Sequence, residues 1–205
     1  MFHVKHSGEG FENVSRETFS RLGAYGDLLI KWNKTINLVS PKTLDELWER
    51  HLLDSLQLVD LIPDTIRELA DIGSGGGLPG LVIAIARPEM QVTLIERDSR
   101  KCAFLTQAAI ILGLSNVKVL NQPIENIKSR HHLVTARALA ALDELLALAA
   151  PILWEDAICL FPKGENFASE IEDAQKKWDF TYTAIPSKTH DSAYIISISK
   201  LKSRL

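Results

Sequence analysis

Apolar residues follow two rhythms along this chain. From Ser15 onward, Leu22, Tyr25, Leu29, Trp32 and Ile36 recur at three- and four-residue steps, with Arg21, Asp27, Lys31 and Lys34 between them. That period predicts an amphipathic helix with one buried stripe. Residues 33–41 break it. Thr43-x-x-Glu46 then has the form of a capping box and predicts a second helix through Leu47, Trp48, Leu52, Leu56 and Val59, ended by Pro63-Asp64. Beyond Pro63 the rhythm changes, and short apolar runs alternate with helical stretches. Residues 69–70, 91–95, 117–120, 133–136 and 157–161 read as strands; 81–86, 142–150 and 168–178 read as helices. A further helix carries Cys102, Leu105, Ala109 and Leu112 on one face, capped by Asp98 or Ser99 and stopped at Gly113. Residues 180–185 and 194–199 alternate and suit an antiparallel pair closing a parallel sheet. Three parts follow: a flexible leader (1–14), a helical cap (15–62) and an α/β body (63–205).

The densest stretch is Asp71-Ile72-Gly73-Ser74-Gly75-Gly76-Gly77-Leu78-Pro79-Gly80, between a strand and a helix. Four glycines in the five positions 73–77 are more than a turn needs. Glycine has no Cβ, so a ligand can approach the backbone closely. Pro79 suits a first helical turn. The free N–H groups at the helix start favour an anionic ligand group by about 0.3–1 kcal/mol. Gly75, Gly77 and Gly80 fit GxGxxG, a weak dinucleotide signal alone. Asp71 at the strand end would crowd a pyrophosphate and suits a cationic amine better. Asp71-x-Gly73-x-Gly75 resembles the first motif of S-adenosylmethionine (AdoMet) methyltransferases. Glu96, ending the second strand about 20 residues past the loop, suits ribose hydroxyls. The resemblance implies a seven-stranded Rossmann-like sheet with helices on both faces, under the cap.

Composition narrows this further. The 205 residues are 46% apolar with a net charge of −3, enough for a real core. A nucleic-acid site must therefore be a local basic patch. Cys102 and Cys159 have no metal spacing and read as buried free thiols. His3 and His6 read as solvated, and His131-His132 as a loop pair. No metal site is expected. The longest apolar run, 138–151, is too short to span a membrane and contains Asp143 and Glu144. With no signal-peptide pattern, a cytoplasmic protein without a membrane partner is expected, read as a monomer. GxSxG, CxxC, HExxH and the P-loop Gly-Lys-Ser/Thr are all missing. His51 and Asp54, one helical turn apart, read as a buried hydrogen-bonded pair fixing the cap.

Ligands of open parallel sheets sit beyond the carboxyl ends of the strands. The residues there are Asp71, Gly73, Glu96, Asn121, Gln122, Ile124, Glu125, Arg137 and Lys163-Gly164. Trp32-Asn33, Ile36-Asn37-Leu38, Arg50-His51, Asp54-Ser55-Leu56, the glycine stretch, Arg137-Ala138 and Lys163-Gly164 occur in this order. Together they resemble the bacterial 16S ribosomal RNA guanine-N7 methyltransferases, the family of glucose-inhibited division protein B. The likeness runs from about residue 15 to about residue 164, and RHxxDSL combined with the long glycine loop makes it specific. It implies an AdoMet-dependent enzyme that methylates one guanine near the decoding centre of 16S rRNA, within a small subunit or an assembly intermediate. It also implies cofactor contacts at Gly73, Leu78, Ile124, Glu125 and Arg137; from the strand-end reading Asp71, Gly75 and Glu96 join them. No general base is required, and Arg137 is the positioning candidate. RNA contacts are expected at Lys34 and Lys163, then Lys42, Arg100 and Lys188, with Trp32 or Phe161 as stacking alternatives to core packing. Pro123 stands where the family has an arginine. The alternatives are an AdoMet-dependent methyltransferase of another substrate, and a non-catalytic AdoMet-sensing, ribosome-binding module.

Overall fold

The computed structural model describes Phe11 and residues 14–204. His3, His6 and nearly all of the expected leader lie outside the described residues. Phe11 does not behave as leader: it is buried in the cap's core.

Helix α1 (Arg16–Asn33) starts where Ser15 Oγ accepts the Thr18 N–H at 3.1 Å, and it buries Leu22, Tyr25 and Leu29. At its end Asn33 Oδ1 accepts the N–H groups of Leu38 (2.8 Å) and Val39 (3.0 Å), which turns the chain back across the molecule. The expected second helix differs from its pattern. Pro41–Thr43 forms a 3₁₀ turn, Trp48–Leu53 winds as a π-helix, and only Asp54–Leu56 (α2) is α-helical, before a 3₁₀ turn at Val59–Leu61. Thr43 caps nothing. Its hydroxyl donates to Ser40 O at 2.9 Å and bonds His51 Nε2 at 2.7 Å, while Glu46 pairs with Arg50.

The body alternates as its periodicity predicts. Its strands are β1 (Glu68–Ile72), β2 (Gln91–Glu96), β3 (Val117–Asn121), β4 (His131–Thr135), β5 (Leu153–Lys163), β6 (Trp178–Pro186) and β7 (Tyr194–Ser203). Its helices are α3 (Gly80–Ala86), α4 (Ser99–Ile111), α5 (Leu142–Ala149) and α6 (Phe167–Gln175). Asp98 caps α4, and Gly113 follows it at φ +64°. The strands form one sheet in the order β3-β2-β1-β4-β5-β7-β6. β1 to β5 run parallel, and β7 lies antiparallel between β5 and β6. The β3–β4 crossover holds a 3₁₀ turn, Ile124–Asn126, where the regular βα alternation implies a helix. His131 and His132 are not a loop pair; they open β4.

The period of two sends alternate strand residues to opposite faces. Leu69, Leu94, Leu133, Leu160 and Ile195 pack under α1, α3 and α4; Ala70, Ile72, Val134, Phe161 and Ile196 pack under α5 and α6. The cap's Leu22, Tyr25, Leu29, Leu52 and Leu56 join the first of these clusters. Cys102 and Cys159 are buried free thiols. Among the described residues, no helix is long and apolar enough to cross a membrane, and no group of three metal-ligating side chains forms.

Candidate functional site

The glycine stretch leaves β1 at Ile72 and folds back over the sheet's carboxyl edge. The Ser74 N–H donates to Ile95 O (3.1 Å), Ser74 Oγ donates to Asp71 O (2.7 Å), and the Gly77 N–H donates to Ser74 O (2.7 Å). Gly73 sits at φ +65°, and a Cβ there would come within 2.6 Å of Leu139 Cδ1. Only glycine takes this position without strain. Gly80 has a different reason: its Cβ would lie 2.7 Å from Asp71 Oδ2, so helix α3 meets β1 through bare backbone. Pro79 ends up one place earlier than expected, just before the helix.

The same contact corrects the reading of Asp71. Its carboxylate is wholly buried, accepting the Gly80 N–H at Oδ2 (3.2 Å) and the Thr135 hydroxyl at Oδ1 (2.8 Å). It fastens α3 and β4 to β1 and does not line the cavity beside the loop. Burial pushes its pKa up to about 6, against hydrogen bonds from Thr135, Ser74 and Gly80 that pull it down. The Tyr25 hydroxyl, fully buried on α1, donates to Gly76 O, so the cap holds the loop's far side directly. Burial raises that phenol's pKa well above its ordinary value, keeping it a donor.

The cavity has a volume of about 580 Å³, within the usual range for small-molecule sites. Its floor is the loop (Gly73, Ser74, Gly75, Gly76, Leu78), and Glu96, Ile124, Glu125 and Arg137 line it too. Ile95, Leu139 and Leu148 add apolar wall, and Leu38, Val39, Ser40, Thr43 and His51 close it from the cap. The two oxygens of Glu96 accept the N–H groups of Gly75 and Asp98, each at 2.9 Å, tying the loop to the end of β2. A hollow of about 690 Å³ at Phe11, Arg21, Asp60 and Arg87 shares no residue with this cavity. The ion pairs Arg21–Glu17 and Arg87–Asp64 already neutralise its arginines.

Arg137 follows β4 and is held from the cap. Its guanidinium donates to Arg50 O (3.0 Å), Asp54 Oδ2 (3.1 Å) and His51 Nδ1 (2.7 Å). His51 and Asp54 thus do not pair with each other; they share Arg137. Asp54 Oδ1 also accepts from Gln57 and Thr189, and Gln57 Oε1 accepts the Lys188 N–H, so the RHxxDSL segment joins the cap to the β6–β7 loop.

Several expected RNA contacts fall elsewhere. Lys163 is no free cation: its ammonium donates to Ala140 O (2.9 Å) and Glu170 (2.7 Å), with 9% of the side chain exposed. Lys188 pairs with Asp60, and Arg100 with Asp98. Lys34 and Lys42 are exposed but line no part of the cavity. Trp32 packs edge-on against Phe104 and Phe161 is wholly buried, so core packing holds both. Arg97 and Lys101 went unnoticed in the sequence. They line the cavity beside Pro123, and neither side chain makes an ion pair among the described residues. Their signal was their place, one and five residues past the acid that ends β2. Tyr25, on an apolar helical stripe, gave no such signal.

The sheet order, the glycine loop at the end of β1 and the acid at the end of β2 define an AdoMet-dependent methyltransferase. The ribosomal protein L11 methylase from Lactobacillus delbrueckii subsp. bulgaricus shares the fold, with a TM-score of 0.57 at 15% identity over 71% of this chain and 75% of that one. The family model for rRNA small subunit methyltransferase G (GidB) matches residues 18–193, and the chain belongs to that family. The ribosomal RNA small subunit methyltransferase G of Gluconobacter oxydans (strain 621H) is 47% identical over 92% of this chain and 97% of its own length. The Acidiphilium cryptum (strain JF-5) protein of the same name is 50% identical over 92% of this chain and 88% of its own.

Proposed function

We propose that the protein transfers the methyl group of AdoMet to N7 of one guanine in 16S rRNA, within a small ribosomal subunit or an assembly intermediate, working as a cytoplasmic monomer. Family membership over residues 18–193 carries the rRNA reading. The cavity supports the chemistry. AdoMet supplies an electrophilic methyl on a sulfonium. The apolar walls at Leu78, Ile95 and Ile124 suit its adenine, Glu96 its ribose hydroxyls, and the backbone of Gly73 and Gly75 its amino-acid end. Guanine N7 has an in-plane lone pair and carries no proton, so nothing needs to abstract one. The site agrees: among the described residues His51 is the one histidine lining the cavity, and Arg137 and Thr43 occupy both its ring nitrogens. What remains for the protein is alignment and exclusion of water, which can supply several kcal/mol.

Arg97 and Lys101 are the cations we assign to RNA phosphate at the mouth, in place of Lys163 and beside Pro123. With a net charge of −3, the protein needs this local patch, and its RNA affinity should fall steeply with salt. The test uses small subunits from cells lacking their own N7 enzyme, incubated with protein and methyl-labelled AdoMet. Label is mapped by strand cleavage specific for N7-methylguanine. A single labelled guanine near the decoding centre is expected. AdoMet binding with no methylated guanine would overturn the substrate and leave the cofactor standing.

A further inference from the structure

We infer that His51 is a positioning residue that holds Arg137 at the wall of the cavity through its Nδ1 lone pair, while Thr43 on the other side fixes the ring's tautomer. The inference rests on the reading of this cavity as the AdoMet site and deepens it.

The bridge follows from donor and acceptor inventory. Arginine has donors only, so a guanidinium nitrogen 2.7 Å from His51 Nδ1 requires a lone pair on that nitrogen. The proton of the neutral ring must then lie on Nε2, which points at Thr43 Oγ1 from 2.7 Å. Thr43 Oγ1 accepts this hydrogen bond and donates its own O–H to Ser40 O at 2.9 Å. The result is one directed chain, Arg137 to His51 to Thr43 to Ser40, in which each hydrogen bond fixes the polarity of the next. Burial, then the nearby Arg137 and Arg50 charges, lower the His51 pKa to about 4, so the ring stays neutral at ordinary pH.

The ends of the chain matter more than its middle. Arg137 belongs to the loop after β4, while Ser40 and Thr43 belong to the cap, and all three line the cavity. No described backbone hydrogen bond joins these two segments. His51 therefore links them, its Nδ1 end fixing where Arg137 sits and its Nε2 end fixing which nitrogen carries the proton. The π-helical turn Trp48–Leu53 presents the ring and the Arg50 carbonyl to one guanidinium, a local distortion of the type that recurs at functional sites. Ionisation of the ring would set two donors against each other, and a side chain lacking the Nδ1 lone pair would leave Arg137 Nη2 without its acceptor, so that the guanidinium, still held at Nη1 by Arg50 O and Asp54, pivots at the cavity wall.

Asparagine and glutamine separate the two ends of the ring. The amide oxygen of His51→Asn falls near the Nδ1 position and can accept from Arg137, whereas the amide of His51→Gln reaches toward Nε2 and Thr43. The experiment measures AdoMet Kd by titration calorimetry for wild type, His51→Asn, His51→Gln, His51→Ala, Arg137→Ala and the double alanine variant, with thermal melts alongside. His51→Ala and His51→Gln should weaken AdoMet by about tenfold, equivalent to about 1.4 kcal/mol of lost positioning. His51→Asn should recover to within about threefold of wild type, and the double alanine variant should bind about as weakly as Arg137→Ala alone. A purely structural histidine would lower the melting temperature in every variant without this selective rescue. An asparagine variant as weak as alanine, or alanine losses that multiply, would overturn the inference. Because the readout is AdoMet binding, a wrong RNA substrate leaves the result decisive.

Discussion

Changing Asp71 to asparagine should turn a stability that is nearly flat in mild acid into one that climbs as pH rises. Asp71 has no solvent exposure, and its pKa rises from 3.8 to about 6. A shift of about two units corresponds to about 3 kcal/mol. Between these values the folded protein holds a proton on Asp71 that the unfolded chain has released. The contribution is fully present below about pH 4 and is lost as pH rises through about 6. His51 works in the opposite sense: its pKa falls from 6.5 to about 4, so its contribution is present at neutral pH and lost on acidification. His131, whose pKa burial also lowers, adds to the histidine side. The two slopes oppose each other in wild type. Asparagine preserves the geometry, because its oxygen can accept the Gly80 N–H while its amide donates to Thr135 Oγ1. Urea unfolding at constant ionic strength, run from about pH 4 to about pH 7, reads the difference between variant and wild type. That difference should move in the variant's favour by about 3 kcal/mol as pH rises across the window. A difference that stays constant with pH would refute the placement of a titrating, buried Asp71.

Tyr25→Phe removes the donor to the buried Gly76 carbonyl and should lose about 1–3 kcal/mol in thermal or urea unfolding; an unchanged midpoint would show that the loop does not depend on the cap. Lys163→Met leaves Glu170 without its cation and should destabilise by about 3 kcal/mol, the low end for a buried pair because Glu170 is partly exposed. The salt dependence of its RNA binding should match wild type, whereas a shallower slope would restore Lys163 as a phosphate contact.

The sheet was legible because its information is local. Alternation at period two marks β6 and β7, and β2 ends at Glu96 as the apolar run does. Gly73 and Gly75 were legible for a related reason: positive φ restricts residue type at a single position. The errors cluster where a side chain's partner is chosen by how the chain folds back and not by the pattern of its own element. Thr43 and Glu46 have the spacing of a cap, but His51 and Arg50 take their side chains, and the helix winds as π instead of α. Asp71 stood at the right strand end, yet spacing does not say whether a carboxylate faces the cavity or the helix start nine residues on. Lys163 read as a cation at the ligand edge because Glu170, which neutralises it, sits on the next helix.

The same limit explains why RHxxDSL was recognisable as a motif but misread as a local pair. His51 and Asp54 share a face at helical spacing, and spacing alone joins them to each other. Their partner is a guanidinium more than eighty residues away. A single arginine with a fixed fork of donors needs several acceptors held at once, and here one short distorted turn supplies three: a carbonyl, a carboxylate and a ring nitrogen. RHxxDSL and Arg137-Ala138 are therefore two halves of one structure. Each half constrains the other through side-chain geometry, which is why their joint occurrence is more specific than the glycine loop, whose residue types are set chiefly by backbone conformation and close approach at single positions.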